Sequence, residues 1–471
     1  MTDSQLPVAV IGAGPVGLAA AAHLIERGQT PIVVEAGDKV ASSVRAWSHV
    51  RMFSPWQYNV DSAARRLLDK AGWQPPAPDA IPTGGDLVAR YLEPLAELPA
   101  MRPHLRLGAR VAAVSRKGHD KVRSEGRDRQ PFVLRVEGAA GEDVIEARAV
   151  IDASGTWTMP NPSGADGLPA IGERGAADHI RYGIPDVLGG ERARYEGRAV
   201  LVIGGGHSAL NAIIELAALK QAAPKTRIVW ALRKERVEAA YGGEAADQLP
   251  ARGALGSQVR ALVESGTIEV VTPFRVARIA DGCSCGLRVS GEVNGSSRTI
   301  AVDEIIVATG FRPDLSFLRE IRLTLDPWLE SSGSLGPLID PNLHSCGTVR
   351  PHGAKELAHA EPDFFIAGMK SYGRAPTFLL ATGHEQVRSI AASLSGDAEA
   401  AGRVELALPE TGVCVSRPIG VERAGEPVAA GCCGPAREEA AVQQTSACCA
   451  PAKPAAAAEA SARQAGGCCP A

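Results

Sequence analysis

The chain has no excess of either charge. Its 50 Lys and Arg stand against 53 Asp and Glu, a formal net charge of −3, so electrostatics gives no reason to expect nucleic acid or an anionic membrane as partner. No uninterrupted apolar run reaches the roughly eighteen residues a spanning helix needs. No basic segment with an apolar one behind it precedes the first strand-like run at Leu6, so no secretory signal is expected. The Cys-x-x-Cys spacing occurs nowhere, which removes the usual zinc knuckle. A cytoplasmic protein with reduced thiols is the expectation that remains. At 471 residues, 22% charged and 45% hydrophobic, the chain is long enough for two or three compact domains.

What is present begins with "LPVAVIGAGPVGLAAAAHLIERGQTPIVVEAG". An apolar run from Leu6 to Ile11 leads into Gly12-x-Gly14-x-x-Gly17, an Ala-rich helical stretch to Arg27 and a second apolar run that ends at Glu35. This is the strand, turn, helix, strand order of a dinucleotide-binding unit. Gly12 permits the tight turn, Gly14 lets backbone approach a pyrophosphate, and Gly17 lets helix and strand pack closely. The helix N-terminus points free N–H groups at phosphates, and Glu35 is placed for a ribose hydroxyl. A second copy reads "EGRAVLVIGGGHSALNAIIELAALKQAAPKTRIVWALRKER". There the turn is Gly204-x-Gly206-x-x-Ala209, and the second strand ends in Arg233 and Lys234 instead of an acid. A guanidinium there suits the 2′-phosphate of NADPH, which a carboxylate would repel.

Two such units in one chain point to FAD in the first and NADPH in the second, with hydride passing from NADPH to flavin. "VIDASGTW" and "EIIVATGFRPD" are apolar strands closed by small-residue turns, with Thr309 and Gly310 in the second. They read as crossings between domains beside a cofactor. "DFFIAGMKSYGRAPTFLLATGHEQVRSIA" returns the chain to the first domain: a strand ends at Gly368, and the N-terminus of the helix that follows could face the flavin ring. The expected fold class is α/β, with two Rossmann-like dinucleotide-binding domains. An FAD domain takes residues 1–160 and 310–400, an NADPH domain with its entry linker takes 161–309, and a Cys-rich tail takes 401–471.

Residues 6 to about 395 resemble the two-dinucleotide-binding-domain flavoproteins that include flavin-containing monooxygenases and thioredoxin reductases. The stretches "RMFSPWQYNVD", "HSCGTVRPHGAKEL" and "GMKSYGRAPTFLLATG", with a Cys-pair tail, resemble more narrowly the flavin-dependent monooxygenases of bacterial arsenic-resistance gene clusters. That resemblance implies FAD, NADPH, dioxygen and a small-molecule or metalloid substrate. The monooxygenase signature Phe-x-Gly-x-x-x-His-x-x-x-Phe/Tyr is degenerate here: Gly175 and His179 are in place, Glu173 replaces the Phe, and Tyr182 arrives one residue early. Of the family's Gly-Gly-x-Trp, only Trp47 remains, and Met369 stands where disulfide-reductase relatives place an Asp. A ribityl contact at that point would have to come from the Gly368 N–H or from elsewhere.

Disulfide exchange with a flavin needs a dithiol that can close, and the chain has no Cys-x-x-Cys. Cys283 and Cys285 sit in a hairpin-like turn of the NADPH domain and read as ordinary small residues. The loop "NLHSCGTVRPHGAKELAHAE" gathers His344, Cys346, His352 and His359 upstream of the strand that returns to the flavin. Cys346, with His352 and His344 beside it, is the candidate catalytic group. A packed loop with a buried thiol is the competing reading.

Six of the ten cysteines form the adjacent pairs Cys432–Cys433, Cys448–Cys449 and Cys468–Cys469, in a tail of Ala, Gly, Pro, Glu and Gln. Such a composition is expected to be disordered. No histidine follows His384, so the ligand set is sulfur alone, suited to a thiophilic ion. Three functions follow. The first is a monooxygenase that oxidises a trivalent arsenical delivered by the tail, the second an NADPH-dependent reductase of a metalloid or thiol adduct, and the third a thiol-rich carrier.

Overall fold

The computed structural model describes residues 6–406, except 248, 283–285, 344–348 and 376–377. All ten cysteines and His344 therefore lie outside the described residues, including the candidate catalytic Cys346, the Cys283 and Cys285 pair and the three tail pairs.

Two five-stranded parallel sheets organise the described chain. The strands of the first half are β1 (Val8–Ile11), β2 (Pro31–Val34), β3 (Leu105–Arg106), β4 (Ala109–Arg116), β5 (Phe132–Gly138), β6 (Gly141–Ala147) and β7 (Ala149–Asp152). Those of the second half are β8 (Ile180–Tyr182), β9 (Ala199–Ile203), β10 (Arg227–Ala231), β11 (Glu269–Val271), β12 (Arg275–Asp281), β13 (Leu287–Val293), β14 (Ser296–Val302) and β15 (Glu304–Val307), and β16 (Phe364–Ile366) follows. The first sheet has the order β16-β7-β1-β2-β3 and the second β11-β10-β9-β15-β8. Each half repeats one plan: two central strands around a helix, an edge strand, an antiparallel meander (β4-β5-β6 or β12-β13-β14), then a strand that returns beside the first. Strand β16, from after the second half, completes the first sheet by pairing with β7.

The central strands are continuous apolar runs because helices and meanders cover both faces of a parallel sheet. Val8, Ala9 and Val10 are fully buried, as are Ala149, Val150 and Ile151. The principal helices are α1 (Pro15–Glu26), α2 (Ser62–Lys70), α3 (His207–Ala222), α4 (Pro250–Glu264) and α5 (Leu380–Leu394). Helix α1 buries Leu18 and Leu24 completely along with the alanines between them. Its small side chains let it sit close under β1 while α5 packs on its other side. Truncating either leucine to Ala would cost about 2–5 kcal/mol. Among the described residues, no helix is long and apolar enough to cross a membrane.

Candidate active site

The first glycine turn is shaped by its neighbours. Gly12 has φ +97°, and a Cβ there would stand 2.9 Å from Ala153 O and from Ser154 Cα, so both conformation and space demand glycine. A Cβ on Gly17 would stand 1.9 Å from Gly12 O, which is the close approach of helix to strand. At Gly14 the same atom would meet nothing within 4 Å. That opening faces the start of α1, whose Pro15 occupies the first turn, where a missing N–H costs nothing. Glu35 ends β2 beside the turn. Its Oε2 accepts the Ala13 N–H at 2.7 Å and its Oε1 the Gly37 N–H at 2.9 Å. The turn, the helix end and this anchored carboxylate fit the pyrophosphate and ribose of FAD. Trp47 is half-buried and lies against Gly84, where a Cβ would stand 2.6 Å from its ring.

Below the turn lies a buried charge pair. Asp152 is the one acid at the end of an otherwise apolar β7, in register with Ile11 on one side and Ile366 on the other. It is 0% exposed. Its Oδ2 accepts from Lys370 Nζ at 2.7 Å, and its Oδ1 accepts from the Ser154 hydroxyl at 2.6 Å and the Ser154 N–H at 3.1 Å. Lys370, 1% exposed, also donates to Ser154 Oγ at 3.1 Å and lies 4.4 Å from the centre of the Phe317 ring. The pair ties the turn after β16 to the segment on which Gly12 rests.

Gly368 begins that turn with φ +71°. Its N–H already donates to Gln386 Oε1 of α5 at 2.7 Å, so the donor offered above to a ribityl hydroxyl is engaged within the protein. Gln386 Nε2 donates in turn to Ser371 Oγ and to His352 Nε2, each at 2.9 Å. His352 Nδ1 meets Arg350 O at 3.1 Å, and the tautomer that satisfies both contacts carries its proton on Nδ1. Burial holds the His352 pKa below the usual imidazole range. Both ring nitrogens are thus spent inside the protein, and His352 orients Gln386 instead of standing free as an acid or base.

The second turn repeats the first. Gly204 has φ +134°, with a Cβ position 2.2 Å from Ala308 O, whereas at Gly206 that position is open. Ala209 takes the third place and is fully buried. Arg233 is exposed past the end of β10, with Nη1 donating to Ala165 O at 2.9 Å, and its remaining donors suit a 2′-phosphate. Thr309 and Gly310 join the two crossings. Asn161 N donates to Gly310 O and Thr309 Oγ1 to Asn161 O, both at 2.9 Å. Arg312 Nε reaches Asn161 Oδ1 at 2.8 Å, and the Trp157 and Phe311 rings stack at 4.9 Å.

Glu173 and Tyr182, the two departures from the monooxygenase signature, meet in the linker. Glu173, 2% exposed, accepts from Ser163 N, Ser163 Oγ, Ala170 N and Tyr182 OH at 2.6–2.9 Å. The carboxylate thus gathers four donors from the linker, and the early Tyr182 is one of them. One cluster was not legible as a site in the sequence: Phe53, from the first half, meets His207, the first residue of α3, with ring centroids 5.4 Å apart. The only signal was that both lay in stretches already singled out.

Two glycine turns, one beside an acid and one beside an arginine, held by paired crossings, define an FAD- and NADPH-dependent oxidoreductase. Residues 9–332 match the family model described as pyridine nucleotide-disulphide oxidoreductase, and the chain belongs to that family. It is 29% identical over 246 residues to a ferredoxin–NADP reductase of Gluconobacter oxydans, an alignment covering 49% of this chain and 63% of that protein. Among solved structures, the bacillithiol disulfide reductase Bdr of Bacillus cereus aligns with TM-score 0.61 at 20% identity, over 83% of this chain and 99% of that one. The FAD-bound cadaverine monooxygenase DfoA of Erwinia amylovora aligns with TM-score 0.56 at 13% identity, over 89% and 99%. These two likenesses are of fold.

Proposed function

We propose that the protein is an NADPH-consuming, FAD-dependent monooxygenase that oxidises a soft nucleophile, with a trivalent arsenical as the proposed substrate class. The carrying observation is the combination of a two-turn flavoprotein framework lacking Cys-x-x-Cys with six cysteines in adjacent pairs. Bound FAD supplies the means of passing two electrons from NADPH to dioxygen. The balance is one arsenite, one dioxygen, one NADPH and one proton giving arsenate, NADP+ and water. Arsenic gives up its lone pair to one oxygen atom, and the other leaves as water with the two electrons from NADPH.

The chain's own groups hold the reactants. Gly12, Gly14, Gly17 and Glu35 seat the first dinucleotide, and Trp47 and Gly368 border it. Gly204, Gly206, Ala209 and Arg233 seat the second, while Thr309 and Gly310 fix the crossing between them. Cys346 and His344 are the candidate substrate contacts, and His352, hydrogen-bonded to Gln386, is a positioning residue beside them in sequence. The pairs Cys432–Cys433, Cys448–Cys449 and Cys468–Cys469 capture the metalloid and raise its concentration near the flavin.

The test is aerobic turnover of the purified full chain with NADPH and arsenite, scoring NADPH, oxygen, arsenate and peroxide together. Arsenate matching NADPH is the expected result. Peroxide matching NADPH, with no arsenate, overturns the assignment and moves it to a reductase, the reading that likeness to a ferredoxin–NADP reductase favours. Truncation after Gly420 separates the third possibility: an enzyme keeps NADPH oxidation and loses apparent affinity, whereas a carrier loses its function entirely.

A further inference from the structure

The second glycine turn is not walled by its own domain alone. Phe53 lies on the segment after β2 in the FAD half, yet its ring stands 5.4 Å from the His207 ring and 6.0 Å from the Arg252 guanidinium, both in the NADPH half. Arg252 is itself immobilised by a buried bidentate pair with Asp247 at 2.7 and 2.9 Å. His207 is the residue next to Gly206, whose Cβ position is open and which is exposed to solvent. The ring from the other half stands beside the opening without filling it.

We propose that Phe53 is a dinucleotide-positioning residue of the NADPH site, contributed across the cleft by the FAD half, so that the reduced pyridine dinucleotide lies between Gly206 and an aromatic wall that moves with the flavin. The proposal rests on the reading of the second turn as the NADPH site. Its physical basis is that a flat aromatic wall stacks on a base or pyridine ring at little entropic cost, a contact worth about tenfold in affinity. Anchoring that wall to the flavin half fixes the distance between donor and acceptor, on which hydride transfer depends.

The experiment uses the FAD-loaded full chain and three variants, Phe53→Ala, Phe53→Trp and Gly206→Val. NADP+ binding is read from the perturbation it causes in the flavin absorbance spectrum and by calorimetry, and anaerobic flavin reduction by NADPH is timed. The expected result is that Gly206→Val abolishes binding. Phe53→Ala should keep its FAD but lose about tenfold in affinity along with the spectral perturbation, and Phe53→Trp should restore both. If Gly206→Val binds NADP+ normally, the underlying reading of the second turn fails. If Gly206→Val abolishes binding while Phe53→Ala binds as well as or better than the parent, that reading survives and the role of Phe53 is refuted.

Discussion

Replacing Lys370 with Met is the sharpest probe of how the flavin site is held together. The substitution keeps length and apolar volume and removes the ammonium. Asp152, 0% exposed, is then left with Ser154 as its hydrogen-bond donor at 2.6 and 3.1 Å and with no counter-charge. Breaking a buried pair by deleting one partner costs about 3–5 kcal/mol, because the survivor's charge is uncompensated, whereas removing both charges is far milder. Because Gly12 leans on Ala153 and Ser154, the strain should reach the turn proposed to seat FAD. The assay is denaturant unfolding of the FAD-loaded protein, followed by flavin release and far-UV dichroism. Lys370→Met should lose several kcal/mol and shed FAD early, and the double variant Asp152→Asn with Lys370→Met should recover most of the loss. A single variant within about 1 kcal/mol of the parent would refute the reasoning, as would a double variant no better than the single one.

Arg233→Gln should raise the KM for NADPH about tenfold or more while leaving that for NADH nearly unchanged, in steady-state assays with both reductants. Burial, reinforced by the nearby Arg252 charge, brings His207 from 6.5 down to about 4. The folded state therefore keeps this imidazole neutral where the unfolded chain protonates it. Its contribution is fully present above pH 6.5 and is lost as pH falls toward 4, amounting to about 2 kcal/mol between pH 7.5 and 5. His207→Asn should flatten that part of the stability profile, and an unchanged slope would count against it.

What could be read from the sequence was what is local. Each glycine turn and its acid or arginine fall within a few dozen residues, and the same strand, turn and helix order fixes what each glycine does. The crossings were visible as apolar strands closed by small residues, but not the fact that Asn161 bonds Thr309, 148 residues away. In the sequence Glu173 is only a departure from a signature. Its meaning needed Ser163, Ala170 and Tyr182 around it. The loop histidines are equivalent by spacing alone, and only packing against α5 reveals that both nitrogens of His352 are occupied.

The longest-range feature carries the most structural information. An acid that ends a strand buried on both faces is a poor choice by local rules, and Asp152 is tolerable only because Lys370 arrives 218 residues later. The same returning segment supplies β16 beside β7, the Gly368 turn against Val16, and the helix that packs on α1. The flavin half therefore cannot be finished until the whole NADPH half has been threaded between its two parts. Strand β7 carries an unpaired charge in any chain that stops short of the return. FAD binding should accordingly report completion of both halves, and damage to the seam at Asp152 and Lys370 should cost the flavin even though neither side chain stands in the glycine turn.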